Sequence, residues 1–92
     1  MLLSLLVVIS LANCQIGPVR AKLELEALAR NSFFDKAAKF DLDFQQDGCT
    51  YTGIAWLIPP IPDTQILMKI KPDGTKVIYA GIKGWIEKGK VE

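Results

Sequence analysis

The sequence predicts an α+β fold: one long N-terminal helix, apolar in its first half, packed on an antiparallel sheet of four or five strands. Three observations carry this expectation. No charged residue occurs before Arg20. From Ala21 to Phe33, apolar residues recur at helical spacing. After Lys39 the hydrophobic period changes to two, and turn residues then divide the chain into short strands.

The 92 residues make one domain. Its two parts are an apolar helical segment over 1–19 and a small globular part over 20–92, made of the helix continuation and the sheet. The net charge is +1, with acids and bases mixed along the chain. Without a basic run, nucleic acid is not an expected partner. The hydrophobic fraction of 50% is high, and much of the excess lies in the first stretch.

Residues 1–19 are long enough, as a helix rising about 1.5 Å per residue, to cover nearly the thickness of a bilayer core. A cleaved signal, a lipidated anchor, a membrane helix and a buried core helix are the alternatives. A signal peptide begins with a positive region, and no Lys or Arg precedes the apolar run here. That points to residues missing ahead of Met1. Leu11-Ala12-Asn13-Cys14 has the outline of a lipobox, with Asn13 a poor residue before the cysteine. Ala12-Asn13-Cys14 also fits loosely a small-residue cleavage site. Asn13 and Gln15 make the stretch polar for a self-standing span.

Gly17-Pro18 interrupts the apolar helix, since proline removes a backbone donor and disfavours helix in the residue before it. A kink belongs there. The helix then runs over 18–36, continuous or nearly so with the first stretch. Ala21, Leu25, Leu28, Ala29 and Phe33 form its apolar stripe, and Glu26 and Arg30 stand four apart in the favourable order. Such a helix suits a membrane at one end and a domain at the other.

Phe40, Leu42 and Phe44 alternate with Asp41, Asp43 and Gln45, which predicts a half-buried strand. Gln46-Asp47-Gly48 is a hairpin turn, and 49–58 is a second strand rich in Thr, Tyr, Ile and Trp. Pro59-Pro60-Ile61-Pro62-Asp63 is a stiff extended connection. A third strand over 65–71 puts Ile66, Met68 and Ile70 on one face. Pro72-Asp73-Gly74-Thr75 is a tight turn. A fourth strand over 76–82, through Val77, Ile78 and Tyr79, meets a bulge or turn at Lys83-Gly84. A last strand covers 85–91. The helix stripe covers the apolar face of the sheet.

The catalytic inventory is nearly empty. There is no histidine to act as a base. Ser4, Ser10 and Ser32 have no activating partner in view. Asp41 and Asp43 are explained by solvation on a polar strand face. Asp47-Gly48 and Asp73-Gly74 read as turns rather than calcium ligands, and no Gly-rich phosphate loop is present. Cys14 and Cys49 lack metal-ligand spacing. Their count allows a disulfide, but the favoured reading is two unpaired small apolar residues. Trp56, Tyr79 and Trp85 form either an exposed aromatic platform or part of the core, and core is preferred. The chain is therefore read as a non-enzyme with no catalytic residue, cofactor or metal.

The run Met1-Leu2-Leu3-Ser4-Leu5-Leu6-Val7-Val8-Ile9-Ser10-Leu11-Ala12, followed shortly by Pro18, resembles the interior of a type IV pilin-like N-terminal helix. The later part resembles the minor pseudopilins of type II secretion and of the related pilus and competence systems. There an amphipathic helix leads into a strand like Ala38-Lys39-Phe40-Asp41-Leu42-Asp43-Phe44. A strand, turn and strand like residues 66–78 follows, with a turn like Pro72-Asp73-Gly74, and then a closing segment like Gly89-Lys90-Val91. The order of elements carries the match. The family's cleavage motif, methylated first residue and glutamate are absent, which leaves Met1 an internal methionine or the chain a truncated or degenerate member.

The resemblance implies a non-enzymatic subunit held in the bacterial inner membrane by a single pass, its C-terminal domain in the periplasm or outside the cell. Its partners would be other pilin-like subunits and the membrane, with no nucleic acid bound by this subunit. The implied membrane and filament packing residues are Leu2, Leu3, Leu5, Leu6, Val7, Val8, Ile9 and Leu11, with Pro18 as the kink. The alternative is a small exported protein or lipoprotein whose first stretch is removed at or before Cys14.

Overall fold

Alternation along the strands and the helical stripe build two layers. The computed structural model describes residues 14–33, 35–62 and 64–92. One helix, α1 (Pro18–Ser32), precedes β1 (Phe40–Asp47), β2 (Thr50–Leu57), β3 (Ile66–Ile70), β4 (Thr75–Tyr79) and β5 (Trp85–Lys90), with a 3-10 turn at Gly81–Lys83. The strands form one antiparallel sheet in sequence order. Among the described residues the fold is α+β, one helix on a five-stranded antiparallel meander.

The helix is shorter than its pattern predicts. It has 15 residues and opens at Pro18, with Gly17 extended at φ −77° and ψ 163°. Pro18 therefore starts a helix rather than kinking one: at the first helical position its missing N–H removes nothing, and its fixed φ suits the helix. Residues 14–17 do not continue α1 upstream. At the other end Phe33 is already extended, at φ −73° and ψ 143°. The Ser32 hydroxyl donates to the Leu28 carbonyl at 2.7 Å, and the Asp35 carboxylate accepts from the Ala37 N–H at 3.0 Å. These short polar side chains favour ends and turns over a continuing helix, so α1 stops before Lys36. Phe33 turns inward instead and packs its ring 5.6 Å from that of Phe40.

Ala21, Leu25 and Ala29 are fully buried, with Phe33 nearly so. They meet Phe40, Leu42 and Phe44 of β1, Tyr51 and Ala55 of β2, and Met68 and Ile70 of β3. The register puts these residues on one face: Leu42 lies opposite Ala55, Phe44 opposite Gly53, and Gly53 opposite Met68. Gly53 is a point of close approach. A Cβ there would stand 2.9 Å from Leu42 Cδ1 and 3.3 Å from Leu25 Cδ1.

The first turn falls one residue later than predicted. Asp47 pairs with Thr50 across a two-residue loop of Gly48, at φ +62°, and Cys49. Cys49 thus lies in the turn, and it is bonded to Cys14 in a disulfide with Cα atoms 5.3 Å apart. The expectation of two unpaired cysteines is corrected: Cys14 lies outside any helix and reaches the hairpin tip. The same N-terminal segment buries Ile16, whose carbonyl accepts the fully buried Tyr51 hydroxyl at 2.6 Å. Ile16 also packs on the β3–β4 turn, where Gly74 has φ +91° and a Cβ would lie 3.1 Å from Ile16 Cδ1. The Gly74 carbonyl accepts the Val91 N–H at 2.9 Å. Both ends of the described chain therefore meet at one turn.

Lys76 joins the sheet to the helix. It lies opposite Ile70 and so on the helix side, its Nζ 3.3 Å from Glu24 Oε1. Between Lys76 and Val77 the pairing to β5 shifts from Gly89 to Glu87, which leaves Lys88 as the extra residue of a bulge.

Candidate interaction surface

Among the described residues, α1 covers one face of the antiparallel sheet and no described element packs on the other. The residues that alternate with the core set make this outer face: Asp41 and Asp43 of β1, Ile54 and Trp56 of β2, Leu67 and Lys69 of β3, Val77 and Tyr79 of β4, Trp85 and Glu87 of β5. Asp41 stands opposite Trp56, Ile54 opposite Leu67, Lys69 opposite Val77, and Tyr79 opposite Trp85.

The preference for these aromatics as core is corrected. Strand parity turns them away from α1, and Tyr79 and Trp85 are 47% and 41% exposed. Their rings meet edge to face at 5.4 Å. Lys69 reaches across β4 and sets its Nζ 4.6 Å from the Trp85 ring centre, an attraction between a cation and the negative ring face. Val77 lies under that bridge and is 97% covered, yet it is no part of the cluster beneath the helix.

Trp56 and Tyr79 also wall an open groove of about 1040 Å³, closed on one side by Pro60, Ile61 and Pro62. The segment is not the extended connection its prolines predict: it bends at 58–59, where the Ile58–Pro59 bond is cis, and turns at Pro62. Ile61 is 54% exposed, and Ile82 is fully exposed on the 3-10 turn. Asp41 and Asp43, beside Trp56 and Ile54, take part in no ion pair among the described residues; the ion pairs there join Glu24 to Arg20 at 3.7 Å and to Lys76. Arg30, four residues after Glu26, lies over the Phe40 ring at 5.0 Å. The Arg20 guanidinium donates to the Glu92 carbonyl. Rings, methyl groups and carboxylates outside any described ion pair share this face, the chemistry that stacking, apolar contact and charge would use.

Leu2, Leu3, Leu5, Leu6, Val7, Val8, Ile9 and Leu11 lie outside the described residues, and Pro18 sits at the start of α1. Among the described residues, no helix is long and apolar enough to cross a membrane, and no group of His, Cys, Asp or Glu could hold a metal ion. Both Asp-Gly pairs lie at turns. The Asp73 carboxylate accepts the Thr75 N–H at 3.0 Å. The backbone and then the side chain of Thr75 hold its carboxyl below the usual carboxylate range.

The exposed platform was legible only as one of two readings, because sequence period assigns residues to a common face but not the face to the helix. No known protein family, curated protein or solved structure matches this chain.

Proposed function

We propose that this chain is a small exported protein that works without catalysis, binding through the outer face of its sheet. The observation that carries this reading is the Cys14–Cys49 disulfide, placed directly after the uncharged apolar run of residues 1–13. Disulfides persist in oxidising compartments, and small exported domains use them to supplement a modest core. An apolar run ahead of a small-residue site matches the hydrophobic and cleavage parts of a secretory signal, though not its positive start. Cleavage at or before Cys14 would keep the disulfide in the mature protein. Cys14 would then carry no thioether lipid, because its sulfur is already bonded to Cys49. The exposed rings of Tyr79 and Trp85 and the Trp56 groove supply a binding face.

The test is the state of the protein in cells that express its reading frame. Free thiols are blocked at lysis, compartments are separated, and the intact mass of the mature chain is measured. The expected result is an extracytoplasmic protein, oxidised at Cys14 and Cys49, with an unlipidated N-terminus at or before Cys14. A cytoplasmic protein with both thiols free overturns the reading.

The second reading is the pilin-like inner-membrane subunit. It is favoured by the apolar stripe of α1 lying across an antiparallel meander, the arrangement expected for such a globular half. It requires residues 1–13 to remain as anchor and filament-packing surface, with residues 14–17 as a break before α1. The same mass measurement separates the two, since only this reading retains Leu2 to Leu11.

A further inference from the structure

Of the three outer rings, Trp56 alone has no ring or cation against it among the described residues. Trp85 already holds Lys69 over its face and Tyr79 at 5.4 Å. Trp56 is half-buried and walls the open groove of about 1040 Å³. Two planar polar side chains flank it. Asp41 is its register partner on β1. Ile66 pairs with Ala55, so Gln65, just before β3, comes alongside Trp56 from the other strand and lines the groove. Both are exposed, and neither side chain is in a hydrogen bond or ion pair among the described residues. Gly81 adds no side chain to the groove, and a Cβ there would meet nothing within 4 Å. Tyr79 supplies a second ring to the wall.

We propose that this groove binds a neutral oligosaccharide, one sugar ring stacked on Trp56 and its hydroxyls held by Asp41 and Gln65. The C–H groups on one face of a pyranose carry slight positive charge and the indole face is negative, so the two attract while both lose water. The rim of the sugar is a ring of hydroxyls that donate and accept. The Gln65 amide offers donors and an acceptor, and the Asp41 carboxylate accepts from two hydroxyls. An apolar wall with a few polar groups around it is the composition of a small-molecule site, and this groove is at the large end for one, which leaves room for more than one sugar. Other ligand chemistries fit worse. No charged side chain lines the groove among the described residues. A phosphate-bearing strand would find no cation there and the Asp41 carboxylate beside it. A cationic ligand would gain Asp41 alone, with Lys39 sharing the neighbouring groove with that carboxylate. A wholly apolar ligand would cover the Gln65 amide without pairing it. The ligand class deepens the binding half of the proposed function and does not rest on its export half.

The experiment screens the purified full chain, with its disulfide formed, on an array of oligosaccharides. The array carries neutral glycans of the gluco, galacto, manno, xylo and N-acetylglucosamine series beside sulfated and sialylated ones. Hits are repeated in solution with the soluble oligosaccharide, read as a change in tryptophan fluorescence. The expected result is binding to a neutral glycan that holds from low to high salt, because an uncharged ligand is not screened. Trp56→Ala should weaken it at least about tenfold, and Trp56→Phe should recover part of the loss. Gln65→Ala and Asp41→Ala should each weaken it severalfold. Both of these side chains are exposed, so they test the site even where Trp56→Ala fails to fold. Leu23→Ala, an exposed position on α1, should bind like the parent. An array with no neutral hit overturns the proposal. So does binding confined to the charged glycans, or a neutral hit that Gln65→Ala and Asp41→Ala leave unchanged. Compartment and thiol state decide the export reading, and the array decides the ligand class, so the two fail separately.

Discussion

Tyr51 and Asp73 each tie the chain together through one polar atom. The Tyr51 ring is fully buried and stacks 5.8 Å from Phe44, while its hydroxyl satisfies the Ile16 carbonyl. Asp73 closes the β3–β4 turn by accepting from Thr75. Its folded pKa is depressed below the ordinary 3.8, chiefly by the Thr75 backbone hydrogen bond. A carboxyl with a depressed folded pKa contributes stability that is present above its unfolded pKa and lost as pH falls through its folded one. Asp73→Asn should therefore lower the melting temperature at neutral pH. The gap between parent and variant should close as the solution is acidified below about pH 3.8. Thermal melts of both proteins across an acid series check this, and a gap that stays constant with pH would remove the carboxylate from the account.

At the scale of the element, α1 is held by its packing rather than by its ends. Gly17 gives no side-chain cap and the first turn has no acid. Isolated helices of this length are marginal in water, so the stripe of Ala21, Leu25 and Ala29 against the sheet supplies the stability. Leu25→Ala should cost about 2–5 kcal/mol, a large share of the roughly 5–15 kcal/mol that holds a domain together. Chemical denaturation of the disulfide-intact chain measures it. A cost under about 1 kcal/mol would mean that the helix does not depend on that contact. The stripe was legible because 3.6-residue periodicity survives in the sequence. The close seat of the helix was not: Gly53 reads in isolation as a flaw in a strand, and its purpose appears only where Leu25 and Leu42 pass over it.

Across the whole molecule, the N-terminal segment, the β1–β2 hairpin, the β3–β4 turn and the C-terminus converge on one end of the sheet. The disulfide joins residues 35 apart in sequence, and in the chain-entropy picture closing such a loop in the unfolded state stabilises by about 2–4 kcal/mol. Cys49→Ser should lower stability by that order, with the largest gain in amide exchange at Cys14 to Gly17 and around Gly48. Hydrogen exchange and denaturant titration of the variant read both effects. Unchanged protection at residues 14–17 would show that Ile16 and the Tyr51 hydrogen bond hold the segment without the sulfur bridge.

Periodicity and turn residues were enough to place a helix before an antiparallel sheet and to group Phe40, Leu42 and Phe44 on its inner face. These are local properties: spacing of two or 3.6 along the chain, and glycine or proline where the backbone must turn. The limits of α1, the side of the sheet on which Lys76, Trp56, Tyr79 and Trp85 lie, and the pairing of Cys14 with Cys49 are not local. Each depends on which segments meet in space. One helix can cover only one face of five strands, so residues of the opposite parity lie away from it, and Tyr79 and Trp85 are exposed despite their apolarity. Two cysteines 35 residues apart bond only because Gly48 turns the hairpin at the point where the N-terminal segment arrives.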